Sequence, residues 1–371
     1  MSVMFSPAKI GNLEVKNRIV RSATYEGRGT ADGEVTDDLL HMYRDLAAGQ
    51  VGLIVTGFSY VMKNGRGAPY MTAIDEDDRI AGFARLAQEV HRAGGKICSQ
   101  IAHCGRKTAP ELTGGEIPVG PSPVPVATTN IVPREMTHGD IAKAVEAFGQ
   151  AARRVKQSGF DAVQLHCAHG YLLSAFMSPY ANRRADEYGG SVPNRARFLL
   201  ETYREVRKEV GGDYPVLVKM NAEDLLDGGL TLDQSARMAG WLAEEGIDAV
   251  EVSAGGAEGG VRSARTGIKT PEQEAYLLPY ARELKKHVGS TPLILVGGFR
   301  SPEVVERVLG EGCVDFVSIC RPFIWEPHLV KRWKEGDREK ARCISCNLCY
   351  SQVSSGPTYC HVLKKEEEEK N

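Results

Sequence analysis

"SGFDAVQLH" (158–166) runs from the end of a helix straight into a strand: Gly159 is a natural helix stop, and an apolar run begins just beyond it. The same pattern returns in "EGIDAV" (245–250) and "EGCVDFV" (311–317). The spacing between the three is irregular, so this is not a solenoid of fixed period. Around them lie further short apolar runs: "RIVRSA" (18–23), "VGLIVTG" (51–57), "KICSQIA" (96–102), "PVLVKMN" (215–221) and "PLILVGG" (292–298). With "DAVQLH" (161–166), "AVEVSAG" (249–255) and "FVSICR" (316–321) they make eight. Each is rich in β-branched residues and apolar on both faces, as strands of a helix-covered parallel sheet are. Eight strands alternating with helices predict an α/β fold, a (β/α)8 TIM barrel; the alternative is an open doubly wound sheet.

The segments between the runs carry helix signals. Over 137–159, Thr137 and Asp140 fit a capping box, and Ile141, Val145, Phe148, Ala152 and Val155 fall at helical spacing. "SPEVVERVL" opens another helix with Ser301 as N-cap and Pro302 at the first position. Two stretches break the rhythm. Residues 110–135 are Pro- and Gly-rich, a long loop on the face where barrels keep their active sites. From about 336 no strand–helix alternation remains, and "KKEEEEKN" reads as a solvated, frayed tail. The expected organisation is a barrel over 1–335 and a short irregular Cys-rich extension over 336–371.

Bulk properties narrow the function. The 371 residues are 42% hydrophobic and 25% charged, enough for a large core. A formal charge of −2 argues against nucleic acid or an anionic membrane as the main partner. No secretory signal and no membrane-spanning stretch are visible, so a cytoplasmic protein is expected, as a homo-oligomer.

Barrel active sites gather at the C-terminal ends of strands. Polar candidates there are Ser22 and Thr24 with Ala23, Gly57, Gln100, His166, Lys219 and Asn221, then Gly297, Gly298 and Arg300, then Cys320 and Arg321. Loops after the seventh and eighth strands commonly form a phosphate site, where glycines admit close approach and arginines supply charge. Lys219 in a barrel mouth either steadies negative charge on a cofactor or forms a Schiff base, as in barrel aldolases. His166 and His169, with Cys167 between them, suggest a metal, but they straddle a strand end and a turn, and no carboxylate completes a ligand set. Two imidazoles reaching one point can instead donate hydrogen bonds to a substrate oxygen, and Tyr171 can deliver a proton nearby.

Residues 164–200 resemble the old yellow enzyme family of FMN-dependent oxidoreductases. Its His-x-x-His/Asn-Gly-Tyr-Leu-Leu run, then Ser-Pro, Asn-x-Arg and Asp-Glu-Tyr-Gly-Gly-Ser, recurs here with little change. The resemblance continues in "KNRIVRSATYEG", "QIAHCGRK", "MTHGDI", "LVGGFRSPE" and "ICRPF", covering roughly residues 5 to 335. It implies FMN at the strand C-termini. Ser22, Ala23, Thr24 and Gly57 would line the flavin's N5 and O4 edge. Gln100 would meet its pyrimidine part, and Lys219 its N1 and O2 side. Gly297, Gly298, Cys320 and Arg321 would hold the phosphate. His166 and His169 would bind the oxygen of an α,β-unsaturated carbonyl substrate, and Tyr171 would protonate it. One departure stands in the first strand, which reads Ser-Ala-Thr where the family often has Pro-Met followed by Thr or Cys.

The tail "CISCNLCYSQVSSGPTYC" has Cys343, Cys346, Cys349 and Cys360 in the spacing C-x2-C-x2-C-x10-C. It resembles the iron–sulfur segment of 2,4-dienoyl-CoA reductase and trimethylamine dehydrogenase relatives, and Asn347 fits that pattern. Four thiolates can hold a [4Fe–4S] cluster or tetrahedral zinc. With a cluster, a separate reductase or ferredoxin is the expected redox partner; without one, NADH or NADPH reduces FMN directly. Competing readings are a Schiff-base lyase using Lys219 and an electron-transfer subunit.

Overall fold

The computed structural model describes residues 2–127, 129–256, 258–259, 263–351 and 356–370. Its centre is a ring of parallel strands: β1 (Ile19–Arg21), β2 (Leu53–Val55), β3 (Ile97–Ala102), β4 (Ala162–Cys167), β5 (Val216–Asn221), β6 (Ala249–Ser253), β7 (Leu293–Val296) and β8 (Phe316–Ile319). Each pairs with the next, and Val317↔Ile19 closes β8 onto β1. The (β/α)8 barrel is therefore the architecture, and the open sheet is excluded.

The helix expected after β3 is His138–Gln157, with a reciprocal capping box between Thr137 and Asp140. Ile141, Phe148, Ala152 and Val155 form its buried stripe. The helix Pro302–Gly310 also forms, but Ser301 makes no side-chain cap. Instead the Glu274 carboxylate accepts from the Arg300 and Ser301 N–H groups (2.7 and 3.0 Å) and from the Ser301 hydroxyl (2.6 Å).

The repeated aspartate of the three echoed segments acts at the strand starts. Asp161, Asp248 and Asp315 accept from the first N–H of the preceding strand, at Ile97, Val216 and Leu293 (2.8, 2.8 and 2.9 Å). Their own N–H groups donate back to the carbonyls of the same three residues. Each pair satisfies strand-end groups that the ladder leaves open.

An N-terminal hairpin, Ala8–Ile10 with Leu13–Val15, was not apparent from the sequence. Its Ile10, Leu13 and Val15 plug the barrel floor against inward residues such as Val20, Leu53, Leu217 and Phe316. At the other end, residues beyond 336 fold back over the mouth. Ala341 donates its N–H to the Arg300 carbonyl, Gly267 donates to the Ser345 carbonyl, and Thr358 donates to the Glu26 carbonyl (2.8, 3.1 and 2.7 Å). The acidic terminus forms a helix, His361–Glu368, with Lys364–Glu368 and Lys365–Glu369 pairs, rather than fraying. No helix among the described residues is long and apolar enough to cross a membrane.

Candidate active site

Side chains alternate along a strand, so every second residue of each barrel strand points inward. One step above the apolar floor these residues turn polar. Glu251 of β6, fully buried, is their hub. Its carboxylate accepts from Ser22 Oγ (2.6 Å), Ser318 Oγ (2.9 Å), Gln164 Nε2 (2.9 Å) and Lys219 Nζ (3.2 Å). Lys219 also donates to Ser22 Oγ (2.7 Å), and Gln100 Nε2 donates to Gln164 Oε1 (2.7 Å). Burial opposes ionisation of Glu251, but the Lys219 ammonium and the hydrogen bonds outweigh it and hold the carboxyl below its ordinary pKa.

Above this layer opens a cavity of ≈ 570 Å³, a size typical of ligand sites. Its wall includes Ser22, Ala23, Thr24, Lys219, Gly298, Arg300, Cys320 and Arg321. Gly298 has φ 76°, and a Cβ there would meet the Tyr276 ring at 2.8 Å, so only glycine suits this turn. The buried Arg300 Nε has no partner. A lysine at the floor, two arginines and a close-approach glycine fit a large anionic cofactor such as FMN. The loop over 110–135 contributes Leu112, Val126 and Thr129 to the wall, and the loop after β6 contributes Gly256, Ser263 and Ala264.

His166, His169 and Tyr171 share this cavity. The His166 ring centroid is 5.3 Å from His169 and 4.8 Å from Tyr171, and Phe58 packs edge-on at 5.7 Å. His166 Nδ1 accepts from the Ala168 N–H (3.3 Å), which leaves the proton of the neutral ring on Nε2. Burial first, then the Lys219 and Lys107 charges, lower its pKa to about 3. His169 pairs through Nε2 with Ser253 Oγ (2.8 Å), and burial, His166 and Lys219 push its pKa well down. Both imidazoles are therefore neutral near pH 7. His169 adopts φ 60°, and Lys107 Nζ holds its carbonyl at 2.6 Å. Burial, then the adjacent Cys104 thiol that hydrogen-bonds it, raises the Tyr171 phenol well above its ordinary pKa, so it keeps its proton.

Four of the sequence candidates lie off the cavity wall: Gly57, Gln100, Gly297, and Asn221, whose side-chain amide donates to Asp224 Oδ1 and the Gly255 carbonyl (3.0 and 3.1 Å). The Gly57 N–H is taken by the Glu26 carboxylate and Tyr43 Oη. Gln100 reaches the site only through Gln164, and Gly297 sits behind Gly298 with its carbonyl on the Tyr276 N–H (3.3 Å). Lys107 belongs to the "GRK" stretch (105–107) of "QIAHCGRK", already noted just beyond the third strand, whereas Glu251, Gln164 and Ser253 were not singled out from the sequence. The signal available was their period-2 position in runs otherwise apolar.

Electrostatics link the four tail cysteines: each raised thiol among them has another of the four among its causes. Burial raises the Cys349 thiol to about 12, and Cys320, Cys343 and Cys346 add to it. Burial likewise raises Cys343 and Cys360, with Cys360 and Cys346 respectively adding to the effect. The Ser345 N–H points at Cys343 Sγ, and the Leu363 and Val362 N–H groups at Cys360 Sγ, donors that suit thiolates. Tetrahedral zinc would draw its sulfurs to roughly 3.8 Å apart, as Zn–S bonds of about 2.3 Å require. Among the described residues the group of metal-ligating side chains gathered tightly around one point is instead His138, Asp186 and Glu187. Asp186 there is already bound by the Arg184 guanidinium.

A family model described as the NADH:flavin oxidoreductase / NADH oxidase family matches residues 3–340. An NADH oxidase of Thermoanaerobacter brockii is 40% identical over 349 residues, 93% of this chain and 53% of its own length. An NADPH dehydrogenase of Bacillus velezensis is 35% identical over 330 residues, 88% of this chain and 93% of its own. A solved 2-naphthoyl-CoA reductase in complex with 2-naphthoyl-CoA has a TM-score of 0.92 at 31% identity, covering 97% of this chain and 56% of that one. The chain thus spans about half the length of the first and the third of these.

Proposed function

The chain belongs to the NADH:flavin oxidoreductase / NADH oxidase family, and from that premise we propose that it is an FMN-dependent reductase of activated C=C bonds in α,β-unsaturated carbonyl compounds. The observation that carries this reading is the convergence of His166, His169 and Tyr171 on one cavity above the Lys219–Glu251 pair. FMN, when bound, supplies the hydride for the β-carbon of the substrate.

Ser22, Ala23 and Thr24 would flank the flavin ring, Lys219 would lie beneath it, and Gly298, Arg300, Cys320 and Arg321 would take the phosphate. Gln100 acts one step back, by orienting Gln164 against Glu251. His166 Nε2–H donates to the substrate carbonyl oxygen, and His169 shares that oxygen. Charge developing there is stabilised by donors already in place, each worth about 3 kcal/mol in a preorganised site. Tyr171 Oη, protonated and half-buried, gives its proton to the α-carbon. Lys219 Nζ is tied down by the buried Glu251 carboxylate and Ser22 Oγ, an arrangement that does not favour its use as a Schiff-base nucleophile. NADH or NADPH is the proposed reductant. The four cysteines are proposed to hold a [4Fe–4S] cluster, which would exchange single electrons with a protein partner.

The test is a single turnover. Anaerobically purified protein, reduced with dithionite, is mixed with 2-cyclohexen-1-one, and the visible absorbance of the oxidised flavin is followed. Recovery of the absorbance at a rate that depends on enone concentration is expected. A colourless protein, or a reduced flavin indifferent to the enone, contradicts the reading. An iron, sulfide and zinc assay of the same sample decides the metal.

A further inference from the structure

Between the cysteines the chain twice enters the left-handed region, at Ser345 (φ 56°) and Asn347 (φ 64°). Neither is glycine, and such a conformation costs of order 1 kcal/mol or more per residue, so surrounding structure must hold it. Ser345 and Asn347 flank Cys346, and both line the cofactor cavity. The Asn347 side-chain amide is used at both ends. Its Oδ1 accepts from Arg321 Nη1 (2.6 Å), and its Nδ2 donates to the Ala264 carbonyl (2.7 Å). Arg321 Nη1 also donates to the Arg265 carbonyl (2.7 Å). One amide therefore clasps the arginine that follows β8 to the loop that follows β6, from a turn that lies among the cysteines and whose Ser345 carbonyl accepts from the Gly267 N–H (3.1 Å).

We infer that Asn347 couples the cysteine segment to the cofactor site, so that metal ligation by Cys343, Cys346, Cys349 and Cys360 tightens FMN binding by fixing Arg321. This rests on the reading that the cavity takes FMN and the cysteines take iron. Ligation pins the turn, the turn places the amide, and the amide sets the guanidinium against the anionic end of the cofactor. Asn347 is a positioning residue in this scheme. Coupling between two sites is reciprocal: FMN must tighten metal binding by the same factor.

The experiment uses the full chain, anaerobically reconstituted with ferrous iron and sulfide, beside the same protein stripped with a chelator. FMN affinity is read from quenching of FMN fluorescence. Stripping should weaken FMN by roughly 5–150-fold, the usual range of such couplings. FMN should slow iron loss to a chelator in the same direction. Asn347→Gly keeps the left-handed backbone accessible but deletes both amide bonds. It should still take up iron, yet bind FMN equally in the loaded and stripped forms. A single FMN affinity for loaded and stripped wild type overturns the coupling, as do a wild-type ratio in Asn347→Gly and a chain that takes up no iron. If neither form binds FMN, the flavin reading itself falls as well, which is a distinct result.

Discussion

At the floor of the barrel the inward side chains are Val20, Leu53, Cys98, Ala162, Leu217, Ala249, Ile294 and Phe316, sealed by the Ala8–Val15 hairpin. Two residues further along six of those strands they are Ser22, Gln100, Gln164, Lys219, Glu251 and Ser318. The lower layer is apolar and excludes water, and its burial stabilises the fold. The upper layer buries an ion pair that contributes little net stability, because desolvation offsets most of the attraction. Its value lies in holding a fixed cation and fixed donors beneath the cavity. The difference teaches that one strand geometry serves stability at one end and chemistry at the other, with a single layer between them.

The sharpest way to break this comparison is at Lys219. Lys219→Met leaves Glu251 buried without its cation and should cost about 3–5 kcal/mol of stability, with FMN affinity falling more than about tenfold. The double variant Lys219→Met/Glu251→Leu should recover most of the stability but not the flavin. Thermal unfolding and FMN titration of both variants check this, and recovery of flavin affinity in the double variant would make the layer merely structural. A floor substitution should behave in the opposite way. Leu53→Ala opens a cavity and should cost about 2–5 kcal/mol while FMN affinity in the folded protein stays within a few-fold of wild type. Loss of flavin binding there would erase the distinction between the layers.

A smaller effect per group comes from pH. His103, lowered by burial to about 4, His166, lowered to about 3, and His169, lowered well below its ordinary value, are neutral when folded. In the unfolded chain each takes up a proton near the ordinary value of about 6.5. Below that value the unfolded state binds more protons, so stability falls with pH, by about 1.4 kcal/mol per pH unit for each histidine. The loss should begin below about 6.5 and continue toward the folded values, and neutral pH should show none of it. Denaturant unfolding between about pH 7 and 5 measures the slope. A flat profile would mean that the mouth histidines are hydrated and charged in the folded protein.

The barrel was legible in the sequence because its signals are local: eight short apolar runs alternate with helical segments, and three of the runs follow the same helix stop. His166, His169 and Tyr171 were legible because they cluster in a few residues at one strand end. Glu251 was not, since a lone carboxylate in "AVEVSAG" looks like a flaw in an apolar run. Its meaning appears only when closure brings it to Ser22 and Ser318, far away in the chain but near in the ring. Gly57 shows the converse: it ends a strand as the sequence suggests, yet its N–H is taken by the buried Glu26 carboxylate and Tyr43 Oη, partners far off in the sequence. The tail's place over the mouth was likewise unreadable, because the contacts of Ser345, Asn347 and Thr358 are all long-range.

The most direct test of the site's chemistry compares the two half-reactions of Tyr171→Phe, which removes one hydroxyl from the cavity wall. Rapid-mixing absorbance gives the rate of flavin reduction by NADH or NADPH and, separately, the rate of its reoxidation by 2-cyclohexen-1-one. Reoxidation should slow by about 10²–10⁴-fold, the usual contribution of a general acid, while reduction stays within a few-fold of wild type. Equal slowing of both steps, or unchanged reoxidation, would contradict the assignment of Tyr171 as the proton donor.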